Sequence, residues 1–491
     1  MTSSVTIKRL ATGISGLDVV LGGGLPEFSF NLIAGPPGSG KTTFAHQIMF
    51  TLASPSRPAI YFTVLGEPAL KMLRYQQQFS YFDAAAINTS IRFVNLSEEA
   101  IGGDLDRVLT RIVAEVQSTG PGLIFVDSFR SVMLAGVGEG SPVTKLQGFV
   151  QQLGVQLTSW QATTFLIGEY FSEADANPVF TVADGIFWLR QSVERNSMVR
   201  KLEIMKMRGQ ATLPGLHTFR IRDDGVTVFA PAVPRPPAHA VQPATARLSL
   251  GVAGLDDLLG GGLPNGYSLL VAGPSGSGKS ILAASFLAEG ARCGEHGVIA
   301  SFEQHPSPMR NPTLASLIRD GRVSLIDSRA PDLSIDEVLL LLVTEIRRTS
   351  ARRVVIDSLS GFELALAPKF REDFRESLSR LVVALGLEGV TVLVTSELED
   401  RYTDLRFSPY GTAFMTDAII VQRYIEVDSR LRRMIAVVKV RGSGHSDELR
   451  EFTIVDGGIV IGAMLIEQEG LLGGRPTRHQ PAPVLIGDVD A

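Results

Sequence analysis

Two stretches of this 491-residue chain repeat one another without a gap. Arg9 to Ala45 reads RLATGISGLDVVLGGGLPEFSFNLIAGPPGSGKTTFA. Arg247 to Ala283 reads RLSLGVAGLDDLLGGGLPNGYSLLVAGPSGSGKSILA. Of the 37 aligned positions 21 are identical. Three weaker blocks follow in the same order in both halves: LIFVDSFRSV with RVVIDSLSGF, VADGIFWLRQ with MTDAIIVQRY, and EIMKMRG with VVKVRG. Repetition in order over roughly 230 to 240 residues describes a duplicated domain rather than a short stacking repeat. Between the copies lies APAVPRPPAHAVQPATA, whose five prolines read as an extended, semi-stiff linker. The expected domains are 1–230 and 247–469, with a linker over 231–246 and a flexible tail over 470–491.

Apolar runs such as SFNLIA, AIYFTV, IRFVNL, GLIFVD and TTFLIG read as buried strands. Amphipathic stretches from Asp104 to Ser118 and from Val143 to Trp160 read as helices between them. Strands alternating with helices imply an α/β fold. Each copy is expected to form a mainly parallel twisted sheet covered by helices on both faces. The segments near Gly185, Lys201, His217 and Val226 are short and rich in β-branched and aromatic residues. They predict an antiparallel extension at one edge of the sheet.

Gly35, Pro36, Pro37, Gly38, Ser39, Gly40, Lys41 and Thr42 fit GxxxxGK[ST], as do Gly273, Pro274, Ser275, Gly276, Ser277, Gly278, Lys279 and Ser280. Glycines at this spacing let successive backbone N–H groups turn inward onto phosphate oxygens. Lys41 and Lys279 are placed to reach the β and γ phosphates, and Thr42 and Ser280 to bind Mg²⁺. Thr43 follows in the first copy. Each motif comes after an apolar strand and before a helical stretch, which is the context the chemistry needs. The expected ligands are therefore ATP and Mg²⁺.

Asp127 and Asp357 each close an apolar strand before a serine. A carboxylate there can help hold Mg²⁺, directly or through water. A hydrolysing site also needs a group to orient or deprotonate water. In the second copy the run VIASFEQHP offers Glu303, followed by Gln304. The first copy places Leu65 and Gly66 opposite them, with Glu67 slightly late. Hydrolysis is expected mainly in the second copy. Lys206 with Arg208, and Lys439 with Arg441, precede a glycine in both copies. On a strand each pair shares a face and could contact the phosphate of a neighbouring subunit.

Composition narrows the alternatives. The chain carries 46 basic and 51 acidic residues, net −5, which argues against a nucleic-acid coat or a polybasic membrane binder. The single cysteine, Cys293, excludes an intramolecular disulfide, and with His296 it is too sparse for a metal site. The first residues have no apolar signal core and no 18-residue apolar run occurs, so the expected compartment is the cytoplasm.

GLDxxLGGGLP, the glycine-rich loop, the later strand-end aspartate and the K-x-R-G strand together resemble the RecA superfamily. Within it, the tandem arrangement resembles the KaiC family of ATPases, over nearly the whole chain and including GGRPTR near the end. The resemblance implies a hexameric double ring with ATP between neighbouring subunits. Lys206, Arg208, Lys439 and Arg441 would then act in trans. It further implies slow ATPase activity in the first ring and, in clock members, Ser/Thr autophosphorylation in the second. Partners implied are a small KaiB-like protein or a signalling histidine kinase. Two departures stand out. The usual paired glutamates are Leu65 and Gly66 in the first copy. The usual phosphosites are Ala413 and Phe414, with Thr412 and Thr416 as the neighbouring hydroxyls. Other readings of the core are a DNA-handling motor and an ATP-stabilised scaffold without turnover. The candidate channel loops, Ser131 to Ser141 and Ser360 to Phe370, carry little positive charge, which disfavours the motor.

Overall fold

The computed structural model describes residues 7–64, 69–101, 105–131, 143–171, 178–194, 197–230, 246–302, 311–327, 333–366, 374–398, 415–427, 429–456, 458–465, 468–469 and 477–478. Contacts divide the chain into two units, Met1–Pro231 and Ala232–Ala491. The linker over 231–245 lies outside the described residues. A short antiparallel pairing of Gln468–Glu469 with Thr477–Arg478 crosses the boundary expected for the tail.

Each unit is built on one nine-stranded sheet. In the first, the strands are β1 (Phe30–Gly35), β2 (Ala59–Thr63), β3 (Ile91–Asn95), β4 (Leu123–Asp127), β5 (Thr163–Glu169), β6 (Gly185–Glu194), β7 (Ser197–Met207), β8 (Leu216–Arg222) and β9 (Gly225–Val228). Their order across the sheet is β3-β2-β4-β5-β1-β6-β7-β8-β9. The six strands from β3 to β6 run parallel, and the last three pairings are antiparallel.

The second unit repeats this order. Its strands are β10 (Ser268–Gly273), β11 (Gly297–Ser301), β12 (Val323–Asp327), β13 (Arg353–Asp357), β14 (Thr391–Glu397), β15 (Ala418–Val427), β16 (Arg430–Val440), β17 (Arg450–Val455) and β18 (Gly458–Met464). They are arranged β12-β11-β13-β14-β10-β15-β16-β17-β18. Both domains thus have the α/β, RecA-like architecture expected, with the antiparallel extension on one flank.

The central parallel strands are largely apolar because helices cover both faces. Every residue of β1, β2, β10 and β11 is buried. One face of the first sheet packs on helix α1 (Lys41–Leu52) through Ile33, Phe44, Ile48, Tyr61, Phe125 and Phe165. The other packs on the helices Leu105–Thr119 and Val143–Ser159 through Val108, Ile112, Phe149 and Leu153. In the second unit, α2 (Lys279–Arg292) takes the place of α1.

The repeated GLDxxLGGGLP run is a brace. Asp18 accepts from the Thr12 amide and hydroxyl at 3.0 and 2.7 Å. Asp256 does the same for Leu250 N and the Ser249 hydroxyl at 2.9 and 2.5 Å. The glycines then turn the chain back so that Arg9–Leu10 pairs with Leu25–Pro26, and Arg247–Leu248 with Leu263–Pro264.

Candidate nucleotide sites

Both glycine-rich loops leave the C-terminal end of the central strand and enter a helix. Gly40 and Gly278 stand at the helix starts with φ of 97° and 108°, and neither helix has a side-chain cap. Elsewhere in the second unit, Asn311, Ser334 and Ser358 cap their helices with side-chain oxygens. The two loop helices therefore present their first N–H groups uncapped, together with the positive end of the helix dipole. That is an anion site made of backbone.

The first and last glycines of the first loop have no room for a side chain. A Cβ on Gly35 would lie 2.1 Å from Leu189 O, and one on Gly40 would lie 2.5 Å from Ile221 Cδ1. Gly35→Ala is expected to lower nucleotide affinity at the first loop about tenfold or more, since overpacking costs of about 1–3 kcal/mol are usual. Equilibrium binding to full-length protein carrying Lys279→Ala, which isolates the first loop, measures this.

Lys41 Nζ donates to Pro36 O at 2.8 Å, folding back over its own loop. Lys279 Nζ donates to Gly273 O at 2.8 Å and Pro274 O at 2.7 Å. Each ammonium is thus parked on loop carbonyls at the mouth of the cradle. Burial pushes the Lys41 pKa down, against the opposing fields of Glu169 and Asp127. Asp127 lies beside the loop and accepts from Thr42 Oγ1 at 3.0 Å and from the Tyr61 hydroxyl at 2.7 Å. Burial pushes its carboxyl up, while the hydrogen bonds from Tyr61 and Thr42 and the charge of Lys41 hold it down. Asp357 is also buried and accepts from Thr395 Oγ1 at 2.5 Å. Ser280 is exposed at the start of α2 and makes no hydrogen bond to Asp357 among the described residues. In both units the peptide bond after the aspartate, Asp127–Ser128 and Asp357–Ser358, is cis.

This donor set suits a metal-bound polyphosphate. Ser39 Oγ is buried at the loop with no hydrogen-bond partner. A lysine, a hydroxyl and a carboxylate converge on one helix end in the first unit, and in the second Lys279 lies on its loop while Asp357 ends a strand two places away in the sheet. Thr42 with Asp127, and Ser280 with Asp357, are the residues that would hold Mg²⁺.

The basic strand pairs lie elsewhere. Arg208 NH1 meets Asp184 Oδ1 at 3.1 Å, and the other oxygen of Asp184 accepts from Phe30 N at 3.0 Å. Arg441 and Asp417 repeat this beside Ser268, at 3.2 and 3.0 Å. Phe30 and Ser268 begin the strands whose far ends carry the loops. Five residues of β-strand separate the two, roughly 17 Å. Lys206 and Arg208 both reach Thr181 O, so they share a side of the strand. Burial and the adjacent arginine push the pKa of Lys206 and of Lys439 down.

Glu303 and Gln304 lie outside the described residues, as do Leu65, Gly66, Glu67, Thr412, Ala413 and Phe414, all of the first candidate channel loop after Ser131, and 367–370 of the second, whose earlier residues belong to the helix Leu359–Ala365 and its C-cap. Thr416 is described. It is buried, and its hydroxyl has no partner. Cys293 is exposed, with its thiol 3.8 Å from Glu289 Oε1.

Two further pairs escaped the sequence reading. Glu169 and Glu397 end β5 and β14, in register with Gly35 and Gly273. Arg200 and Arg433 occupy matching places on β7 and β16, opposite Gln191 and Tyr424, and each has a buried Nε without a partner. The repeat itself carried the signal. TTFLIGE and TVLVTSE end on the same residue, and the arginines stand six positions before Lys206 and Lys439.

A family model described as "ATPase: KaiC" matches residues 10–233 and again 248–465. The chain belongs to the KaiC ATPase family. Proteins named circadian clock oscillator protein KaiC are similar along almost their whole length. That of Prochlorococcus marinus is 27% identical, covering 96% of this chain and 96% of the relative. That of Picosynechococcus is 26% identical, with 96% and 93% covered. That of Synechococcus elongatus is 26% identical, with 96% and 92% covered. Both units are therefore KaiC-family ATPase domains. No helix among the described residues is long and apolar enough to cross a membrane.

Proposed function

We infer that both loops bind ATP with Mg²⁺ and that the second domain does most of the hydrolysis. The observation that carries the reading is the pair of uncapped helix ends behind glycine loops, each beside a strand-end aspartate and a lysine folded onto loop carbonyls. In the second domain Glu303 takes a proton from the attacking water. Lys279 and the backbone N–H groups absorb charge as the γ-phosphoryl group transfers. Mg²⁺, when bound, neutralises phosphate charge. The first domain, with Leu65 and Gly66 in place of glutamates, binds ATP and turns it over slowly.

Lys206, Arg208, Lys439 and Arg441 sit a strand's length from their own loops, which supports their serving a neighbouring subunit. A hexameric ring is the assembly this reading uses. Autophosphorylation in the second domain would fall on Thr412, since the Thr416 hydroxyl is buried. The likeness to clock oscillator proteins supports a nucleotide-controlled signalling assembly in the cytoplasm. Its docking partner would be a small KaiB-like protein or a histidine kinase.

Phosphate release from γ-labelled ATP tests the assignment. Glu303→Gln is expected to remove most turnover, roughly 10²-fold or more for loss of a general base, while ATP remains bound. Turnover unchanged by Glu303→Gln overturns the assignment of the base. Absence of turnover in the unaltered protein, with ATP tightly bound, favours a scaffold.

A further inference from the structure

Asp127 and Asp357 are equivalent in sequence yet are held from opposite sides. Asp127 is in register with Thr63 on β2 and with Ile167 on β5. Its extra hydroxyl comes from β2, where Tyr61 lies two residues before Thr63 on the same face and donates to Asp127 Oδ2 at 2.7 Å. An aromatic side chain is long enough for such a diagonal cross-strand contact. Ile167, on the other flank, has no donor.

In the second domain the flanks are exchanged. Ile299 stands third in β11, where β2 has Tyr61. Thr395 stands fifth in β14, where β5 has Ile167, and donates to Asp357 Oδ1 at 2.5 Å. Thr63 and Ser301 stand opposite the aspartates in both domains, so what is exchanged is the donating hydroxyl: it comes from Tyr61 on one flank in the first domain and from Thr395 on the other flank in the second, with Ile299 and Ile167 at the matching places. In the first domain the Tyr61 and Thr42 hydroxyls share one carboxylate oxygen of Asp127.

Tyr61 is fully buried and cannot reorient freely. Its ring stacks on Phe125 at 5.8 Å and lies 4.7 Å from His46 on α1. The second domain has Ala284 where α1 has His46, so the polar column beneath the first loop is apolar in its twin.

We propose that Tyr61 and Thr395 are positioning residues that orient the Mg²⁺-side carboxylate, each from its own flank, and so set the Mg²⁺ requirement of nucleotide binding. Each acts through its aspartate, to which its hydroxyl donates. The proposal rests on the nucleotide reading above.

The test is equilibrium binding of a fluorescent ATP analogue to full-length protein, with Mg²⁺ titrated and with the metal chelated. Lys279→Ala is the parent for the first loop and Lys41→Ala for the second. Tyr61→Phe is expected to raise the Mg²⁺ concentration at half-maximal binding roughly tenfold, the usual scale for partners that orient metal ligands. Affinity in chelator should stay as in the parent. Adding Ile167→Thr, which copies the other domain's flank, should bring the midpoint back. Thr395→Val should produce the same Mg²⁺ shift in the second domain.

An unmoved midpoint overturns the proposal, as does an equal loss with and without Mg²⁺, or failure of Ile167→Thr to restore binding. If Tyr61→Phe does not fold, the Thr395→Val arm decides. If neither parent binds the analogue, the nucleotide reading fails first and takes this proposal with it.

Discussion

Lys279→Ala is expected to abolish measurable phosphate release, while Lys41→Ala leaves most of it. Lys279 is the only side-chain cation that the second loop itself supplies, and its ammonium already lies on Gly273 O and Pro274 O. An ATP phosphate entering the cradle would take over those contacts. Removing one preorganised group that meets developing charge typically costs about 10²–10³ in rate. Losing a full positive charge places this variant at the upper end. Lys41→Ala should empty the first site alone. Phosphate release and radiolabel retention, measured on both variants, separate the domains. If Lys41→Ala removes the activity instead, the first domain is the engine and Glu67 is its base.

The largest expected effect on stability lies away from the loops. Arg353 opens β13 and is 2% exposed. Its guanidinium donates to Glu295 Oε2 at 2.7 Å, to Ser249 O at 2.8 Å and to Phe286 O at 2.9 Å, and lies over the Phe286 ring. It thereby joins the brace before β10, helix α2 and the turn after it. Arg353→Ala leaves two carbonyls and a carboxylate without their donor, so it should destabilise the second domain by about 3–5 kcal/mol. At roughly 2–4 °C per kcal/mol for a domain of this size, its melting temperature should fall by about 6–20 °C. Differential scanning calorimetry should show that transition moving while the other stays. Arg353→Leu restores apolar bulk, as at Leu123 in β4, but leaves the same carbonyls and carboxylate without a donor, so most of the loss should remain. A shift under about 2 °C for Arg353→Ala would show that the cluster is not holding the domain together.

The fold was legible because duplication doubled every signal. Buried stretches of strand such as residues 123–126 are apolar at every position, and the K-x-R-G strands are marked twice. The loops were legible for the same reason. The glycines answer to backbone crowding, with Leu189 O and Ile221 filling the space a side chain would need. What sequence could not supply was pairing across the sheet. Glu169 looks like an ordinary strand end until β5 is laid beside β1. Tyr61 reads as one more apolar strand residue until its hydroxyl meets Asp127. Both depend on contacts more than 60 residues apart in the chain, between strands that are not sequential neighbours.

A loop at one end of β1 and a basic pair at the other give each domain a head and a tail. Surfaces of that kind join heterologously, front to back, rather than by a two-fold axis. Such a contact has a genetic signature. On the proposal that the basic pair serves a neighbour's loop, a subunit damaged only in its loop and a subunit damaged only in its basic pair would each lack half of a shared site. Mixed together, they would regenerate an intact one at the junctions where the surviving halves meet. Two inactive variants, Lys279→Ala and the double variant Lys439→Ala/Arg441→Ala, should complement one another when co-assembled.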